Sequence, residues 1–186
     1  MHRDIKAGNI LMDMHGHVFL SDFGVSASLK KGEKRGTIVG SPCWMAPEIM
    51  NQSGHDYKAD IWSVGITGIE LAMGNAPYHE LPAMKVVIEI LNNSPPELPE
   101  DAPFSNLFRK FLAACLKKEP SQRPTVDELL QQHAAFFDQA KEPAYLQTKF
   151  LSGLAPISER VDQKLQGAGD EFIETLNRLH SKARAS

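Results

Sequence analysis

Asp4, Lys6, Asn9 and Asp22 are the residues of this chain whose types and spacing can act together. They stand in His2-Arg3-Asp4-Ile5-Lys6-Ala7-Gly8-Asn9, which is followed by Asp22-Phe23-Gly24. The chemistry that suits such a set is phosphoryl transfer. That reaction needs a group at the attacking hydroxyl, metal to neutralise phosphate charge, and rigid positioning, with little covalent help from the protein. Asp4 offers a carboxylate that can take the hydroxyl proton late in the reaction. Asn9 and Asp22 offer the hard oxygens that magnesium prefers. Lys6, two residues beyond Asp4, can place an ammonium beside the transferred group. Any one of these on a loop is ordinarily a solvated side chain, so it is the ordered set that points to chemistry. A third triplet, Ala46-Pro47-Glu48, follows in sequence.

The elements that must position this set are short. Ile10-Leu11-Met12 and Val18-Phe19-Leu20 surround Asp13-Met14-His15-Gly16, which predicts a small β-hairpin with Asn9 and Asp22 side by side at its open end. Residues 25–45 show no periodicity. They carry Lys30, Lys31, Lys34 and Arg35 with the candidate phosphosites Thr37 and Ser41, and read as a functional loop, or for the basic residues as a solvated face. The spacing then predicts a helix over Lys58–Met73, apolar on nearly every face and closed by Gly74. A second helix is expected over 84–91 and a third over 107–116, with an apolar stripe. Thr125-Val126-Asp127-Glu128 is a capping box that opens a fourth, ending near His133. Beyond Phe137, Pro143, Gly153, Pro156, Gly167 and Gly169 interrupt weakly amphipathic pieces. Residues 170–180 read as one further helix, either in a solvated tail or as a partner-binding element.

Composition bounds the rest. At 186 residues and 42% apolar content the chain can bury one sizeable core. A formal net charge of -3 argues against a general nucleic-acid or anionic-membrane footprint. Cys43 and Cys115 are far apart and form no metal or disulfide pattern, which suits a reducing compartment. Met1 runs straight into His2-Arg3-Asp4 and no apolar run is long enough to span a membrane, so neither a signal peptide nor membrane insertion is expected and the chain reads as cytoplasmic. His15-Gly16-His17 has no third ligand in view and reads as a surface turn. Gly167-Ala168-Gly169 lacks the third glycine and the preceding strand of a nucleotide fingerprint.

In their order and spacing the three motifs resemble the catalytic loop, the metal loop and the close of the activation segment of the eukaryotic protein kinases. Residues 1–137 look like the C-terminal lobe of that fold, mainly α within an α+β family, with a small β-hairpin at the catalytic loop. Residues 138–186 would form a partly helical or disordered tail. Lys6 with Gly40-Ser41-Pro42-Cys43-Trp44-Met45-Ala46-Pro47-Glu48 is similar to the serine/threonine-specific, STE-group germinal-centre kinases. Within that group the likeness is greatest to the SPAK/Fray subfamily, through Asp22-Phe23-Gly24-Val25-Ser26-Ala27, Lys58-Ala59-Asp60-Ile61-Trp62-Ser63 and Ala76-Pro77-Tyr78-His79.

The resemblance implies ATP and Mg2+ as cofactors. Asp4 and Lys6 would be catalytic, Lys6, Asn9, Leu11 and Asp22 would bind the nucleotide, and Asn9 and Asp22 would hold metal. Leu11 would form the floor under adenine. Thr37 would be the activation-loop phosphosite, with Arg3 pairing its phosphate, and Ser41 would bond Asp4 and Lys6. Glu48 and Arg123 would form a buried ion pair, Asp60 would brace the catalytic loop, and His2 would be structural. Protein substrates are implied, with cation–chloride transporters among them and a WNK-type kinase upstream. The family's N-terminal lobe, with its Gly-rich loop, Val-Ala-Ile-Lys lysine and hinge, has no counterpart in the 186 residues. Two functions are therefore expected of this chain. One is a serine/threonine kinase represented by a fragment that is inactive alone. The other is a truncated lobe acting as a non-catalytic binding or scaffold module. Saturable MgATP binding discriminates them.

Overall fold

The computed structural model of the chain describes residues 1–25, 42–51, 54–160 and 166. Thr37, Ser41 and the helix expected over 170–180 lie outside the described residues.

The hairpin forms as its apolar runs predict. Strands β1 (Ile10–Met12) and β2 (Val18–Leu20) pair antiparallel, with Ile10 opposite Leu20, Leu11 opposite Phe19 and Met12 opposite Val18. Asp13 closes the turn: its N–H donates to the His17 carbonyl at 3.0 Å, and its carboxylate accepts the His17 N–H at 2.9 Å. Helix α1 (Pro47–Met50) begins with proline in its first turn, where the missing N–H has no intrahelical partner to lose.

Helix α2 (Lys58–Met73) is the axis of the fold, and its bounds are those that the apolar run and Gly74 predict. Gly74 takes φ 85, the left-handed conformation that costs glycine nothing, and its N–H donates to the Glu70 carbonyl at 2.8 Å. Helix α3 (Ala83–Asn92) extends the expected 84–91 by one residue at each end and buries Val86 and Ile90. Helix α4 (Asn106–Cys115) is capped by Ser105, whose hydroxyl accepts the Phe108 N–H at 3.2 Å. The capping box of α5 (Val126–Gln132) is complete, with the Glu128 N–H on Thr125 Oγ1 at 3.1 Å and the Thr125 N–H on Glu128 Oε2 at 2.7 Å.

Packing explains what the periodicity left out. A Cβ at Gly65 would lie 2.7 Å from Leu116 Cγ and 2.9 Å from Cys115 Cβ, and one at Gly68 would lie 2.7 Å from Leu112 Cδ2. These two glycines thus bring the α4 end of the core directly onto the backbone of α2. A short helix that the sequence did not announce, α6 (Ala134–Phe137), adds Phe136 to an aromatic stack. Its ring centroid lies 4.7 Å from Phe111 and 5.6 Å from Phe108. Burial pushes the Cys115 thiol up to about 12, so it serves as a core side chain and not as a nucleophile.

The chain divides into two units, one of Met1–Asp13 with His17–Lys141 and one of Met14–Gly16 with Glu142–Ser186. In the second, α7 (Pro143–Lys149) runs into a 3-10 turn at Leu151–Gly153, and Ser152 Oγ donates to the Thr148 carbonyl at 2.7 Å. Among the described residues no helix is long and apolar enough to cross a membrane.

Candidate active site

Helix α2 grips the stretch before the hairpin at three points. In its first turn, the Asp60 carboxylate accepts the His2 N–H at 2.6 Å and the Arg3 N–H at 2.8 Å. Thr67 Oγ1 donates to the Ile5 carbonyl at 3.4 Å, and in the last turn Glu70 Oε2 accepts the Ala7 N–H at 2.9 Å. From Asp60 to Glu70 the helix rises roughly 15 Å, which matches an irregular segment laid along it. The grip has work to do, because Arg3 sits at φ 73. A side-chain-bearing residue held there costs on the order of 1–3 kcal/mol.

His2 links this segment to the far side of the hairpin. Its Nδ1 accepts the Asp4 N–H at 3.3 Å, so Nε2 carries the proton and donates to the Ser21 carbonyl at 3.0 Å. Its ring also meets Phe23 edge-on, centroids 4.7 Å apart. Asp4, whose backbone is thereby held, is buried with its carboxylate shared between two neighbours. Oδ2 lies 2.9 Å from Lys6 Nζ and accepts from Asn9 Nδ2 at 3.0 Å, and the same amide group donates to the Asp4 carbonyl at 2.7 Å. Asn9 spends its NH2 on Asp4, which leaves its side-chain oxygen for a cation. Ser21 donates both its N–H (2.8 Å) and its hydroxyl (2.9 Å) to the Asn9 carbonyl, which sets Asp22 one residue from Asn9 across the open end of the hairpin. Asp22 is exposed, takes φ 60, and accepts the Gly24 N–H at 3.3 Å.

This donor set fits magnesium. The described residues hold no cluster of three or more His, Cys, Asp or Glu side chains, as a protein-made cage would require. One carboxylate and one amide oxygen at an exposed edge instead suit an ion that completes its shell with phosphate oxygens and water. Leu11, in the middle of β1, is 53% exposed and presents an apolar surface.

The protein kinase domain model matches residues 1–135. The chain belongs to the protein kinase domain family. It is 52% identical over 164 residues to serine/threonine-protein kinase fray2 of Dictyostelium discoideum, covering 86% of this chain and 16% of that protein. It is 45% identical over 172 residues to germinal center kinase 3 of Caenorhabditis elegans, covering 84% and 28%. Its identity to serine/threonine-protein kinase 10 of Rattus norvegicus is 48% over 137 residues, covering 70% and 14%. The likeness is thus to germinal-centre and Fray-type serine/threonine kinases, and the chain spans less than a third of the length of each of these three. Since 86% of 186 residues is more than residues 1–135 contain, similarity to fray2 continues into the tail.

Arg123 is 1% exposed and uses all five of its N–H donors. Two go to the Glu48 carboxylate at 2.7 Å each, and the others to the carbonyls of Lys117 (2.7 Å), Lys58 (2.8 Å) and Lys118 (3.1 Å). The guanidinium also lies over the Trp62 ring, 5.3 Å from its centroid, and the Lys58 ammonium donates to the Arg123 carbonyl.

Four participants escaped the sequence reading. Glu70 holds the segment before the hairpin at Ala7 and, through the same oxygen, accepts Trp44 Nε1–H at 2.9 Å from the segment before Ala46. Thr67 and Ser63, which donates to the Trp44 carbonyl at 2.8 Å, complete this ladder. The available signal was three polar side chains inside an otherwise apolar helix. His55, which precedes α2, is the fourth: it is 2% exposed, and neither ring nitrogen finds a partner among the described residues. Burial pushes its pKa down, against smaller opposing influences from the Glu48, Asp60 and Asp56 carboxylates.

Proposed function

We propose that the protein this chain belongs to is a serine/threonine protein kinase that transfers the γ-phosphoryl group of ATP to hydroxyls of protein substrates in the cytoplasm. The observation that carries this reading is the Asp4 carboxylate, buried, backbone-anchored and shared by Lys6 Nζ at 2.9 Å and Asn9 Nδ2 at 3.0 Å. MgATP supplies the phosphoryl group and the positive charge that neutralises it. Asp4 orients the acceptor hydroxyl and takes its proton. Lys6, whose Nζ lies 2.9 Å from Asp4 Oδ2, places positive charge beside the phosphoryl oxygens. Asn9 and Asp22 hold the metal through oxygen. Leu11 packs under adenine.

Regulation follows from Arg3. Its Nε is buried with no hydrogen-bond partner among the described residues, which suits a cation that awaits an anion. Phosphate on Thr37, added by an upstream kinase that the Fray resemblance makes WNK-type, would supply one. The test uses the full-length gene product and radiolabelled ATP. Asp4→Asn should lower transfer about a hundred- to ten-thousand-fold while MgATP still binds. Asp22→Ala should abolish transfer and weaken MgATP binding. Undiminished transfer in either variant would sink the assignment.

A further inference from the structure

A second concave surface lies away from the catalytic loop, between α4 and the extended segment before it, and nothing in the kinase reaction uses it. It encloses about 570 Å³. Leu98, Leu112 and Leu116, all buried, form its floor, and Pro95 and Pro96 form one wall. Prolines suit a wall because they present no N–H that a ligand would have to satisfy. The opposite wall is one face of α4, where Arg109, Lys110 and Ala113 follow at helical spacing, continued by Lys117 just past the helix end.

Its charge is one-sided. Arg109, Lys110, Lys117 and Lys118 line it against one carboxylate, Glu97, in a chain whose formal net charge is -3. Arg109 and Lys118 are held in place by neutral partners. Arg109 donates to the carbonyls of Leu98 (3.0 Å), Pro99 (2.7 Å) and Ala102 (2.7 Å), and Lys118 to that of Leu91 (2.7 Å). Carbonyl oxygens orient a cation without cancelling its charge. Lys110 and Lys117 are exposed, and the ammonium group of neither makes an ion pair or hydrogen bond among the described residues. The groove therefore combines a preformed apolar floor with two fixed and two unpaired positive charges.

We propose that this groove docks an acidic peptide segment of a partner protein, with apolar side chains seated on Leu98, Leu112 and Leu116 and carboxylates facing Lys110 and Lys117. Neither half of the surface suffices alone. A bare apolar floor would take any hydrophobic segment, and bare lysines would attract any polyanion. Together they select alternating acidic and apolar chemistry.

The experiment titrates the chain into a short fluorescein-labelled peptide of leucines interspersed with glutamates and follows anisotropy. Two companions replace the glutamates by glutamine or the leucines by serine, and a duplex DNA competitor is added in a separate arm. Saturable binding of the first peptide is expected, about ten-fold or more tighter than either companion, weakening as salt rises. Lys110→Glu with Lys117→Glu should weaken it about ten-fold, and Ala113→Glu, which puts bulk and negative charge on the groove wall, should do the same. Lys110→Gln with Lys117→Gln gives a milder, surface-neutral check should charge reversal perturb folding. Equal binding of the glutamine peptide, displacement by DNA as effective as by the peptide, or unchanged affinity in the glutamine and Ala113→Glu variants would each overturn the proposal.

Discussion

Residues 2–9 reach α2 through hydrogen bonds to Asp60, Thr67 and Glu70, whereas α4 reaches the same helix through close packing on Gly65 and Gly68. The apolar side chains of the hairpin stay open to solvent, with Val18 55% and Phe19 52% exposed, while Trp62, Ile66 and Cys115 of the base are fully buried. One helix thus has a side that is packed and a side that is wired. Packing depends on the area removed from water and tolerates small shifts poorly. Polar anchors contribute modestly to net stability but fix direction, as the role proposed for the Asp4 carboxylate requires. The two sides should accordingly answer mutation with different observables.

The largest effect on the base should come from Glu48→Ala. It strands the Arg123 guanidinium in a site where it is 1% exposed, and breaking such a pair costs about 3–5 kcal/mol. Chemical denaturation of the variant measures it directly. Replacing Glu48 and Arg123 together by methionine should recover much of that loss, because the pair's desolvation is then no longer incurred. If the double variant is as unstable as Glu48→Ala, the three carbonyls that Arg123 also holds carry the stability instead.

Asp60→Asn should come next and should separate the observables. The substitution leaves one acceptor where two N–H groups, of His2 and Arg3, now find a carboxylate at 2.6 and 2.8 Å. Hydrogen bonds to a charged group are worth about 1.5–3 kcal/mol, so a loss in that range is expected. The sharper expectation is kinetic. With Arg3 no longer held at φ 73, kcat of the full-length enzyme should fall further than the change in folded population explains. A kcat that merely follows stability would erase the distinction between the two sides. Gly65→Ala tests the packed side. Its Cβ would meet Cys115 Cβ at 2.9 Å, an overpacking cost of about 1–3 kcal/mol, offset by about 1 kcal/mol of helix propensity. A net loss of about 1 kcal/mol with kcat unchanged at a temperature where both proteins are folded is expected.

Which parts of this were legible in the sequence follows the same division. Helix α2 and its glycine stop could be read to the residue, because burial on nearly every face and a left-handed cap are both local signals. The capping box of α5 was equally plain, since its two bonds lie within four residues. Helix α6 was not, because Phe136 earns its helical turn by stacking on Phe108 and Phe111, more than twenty residues earlier. Glu70 was missed for a similar reason. Nothing near it in sequence shows that Ala7 and Trp44, from two other segments, bring their N–H groups to one oxygen. Asp4, Asn9 and Asp22 were singled out by residue type, order and spacing, and the structure brings Asp4 and Asn9 into hydrogen-bond contact. The left-handed backbone at Arg3 and Asp22 carries no composition signal and appears only once the segment is anchored.

His55 lies where the wired and packed sides meet electrically, and it gives the smallest and most diagnostic expectation. Its pKa is lowered, first by burial, then through Arg3; Glu48 from the base and Asp60 from the anchored side oppose the change. A histidine whose folded value lies below its ordinary value of 6.5 binds fewer protons folded than unfolded. Its contribution to stability is therefore complete above that ordinary value, and declines as pH falls from there toward the folded value. His55→Phe should flatten this part of the stability–pH curve and leave the neutral-pH end unaffected by titration. Glu48→Gln removes one of the groups that raise the His55 pKa, so it should extend the declining window further toward acid. Asp60→Asn should do so too. If the first substitution extends the window and the second leaves it in place, His55 reads the base alone, and the two sides of α2 are electrically separate as well as differently built.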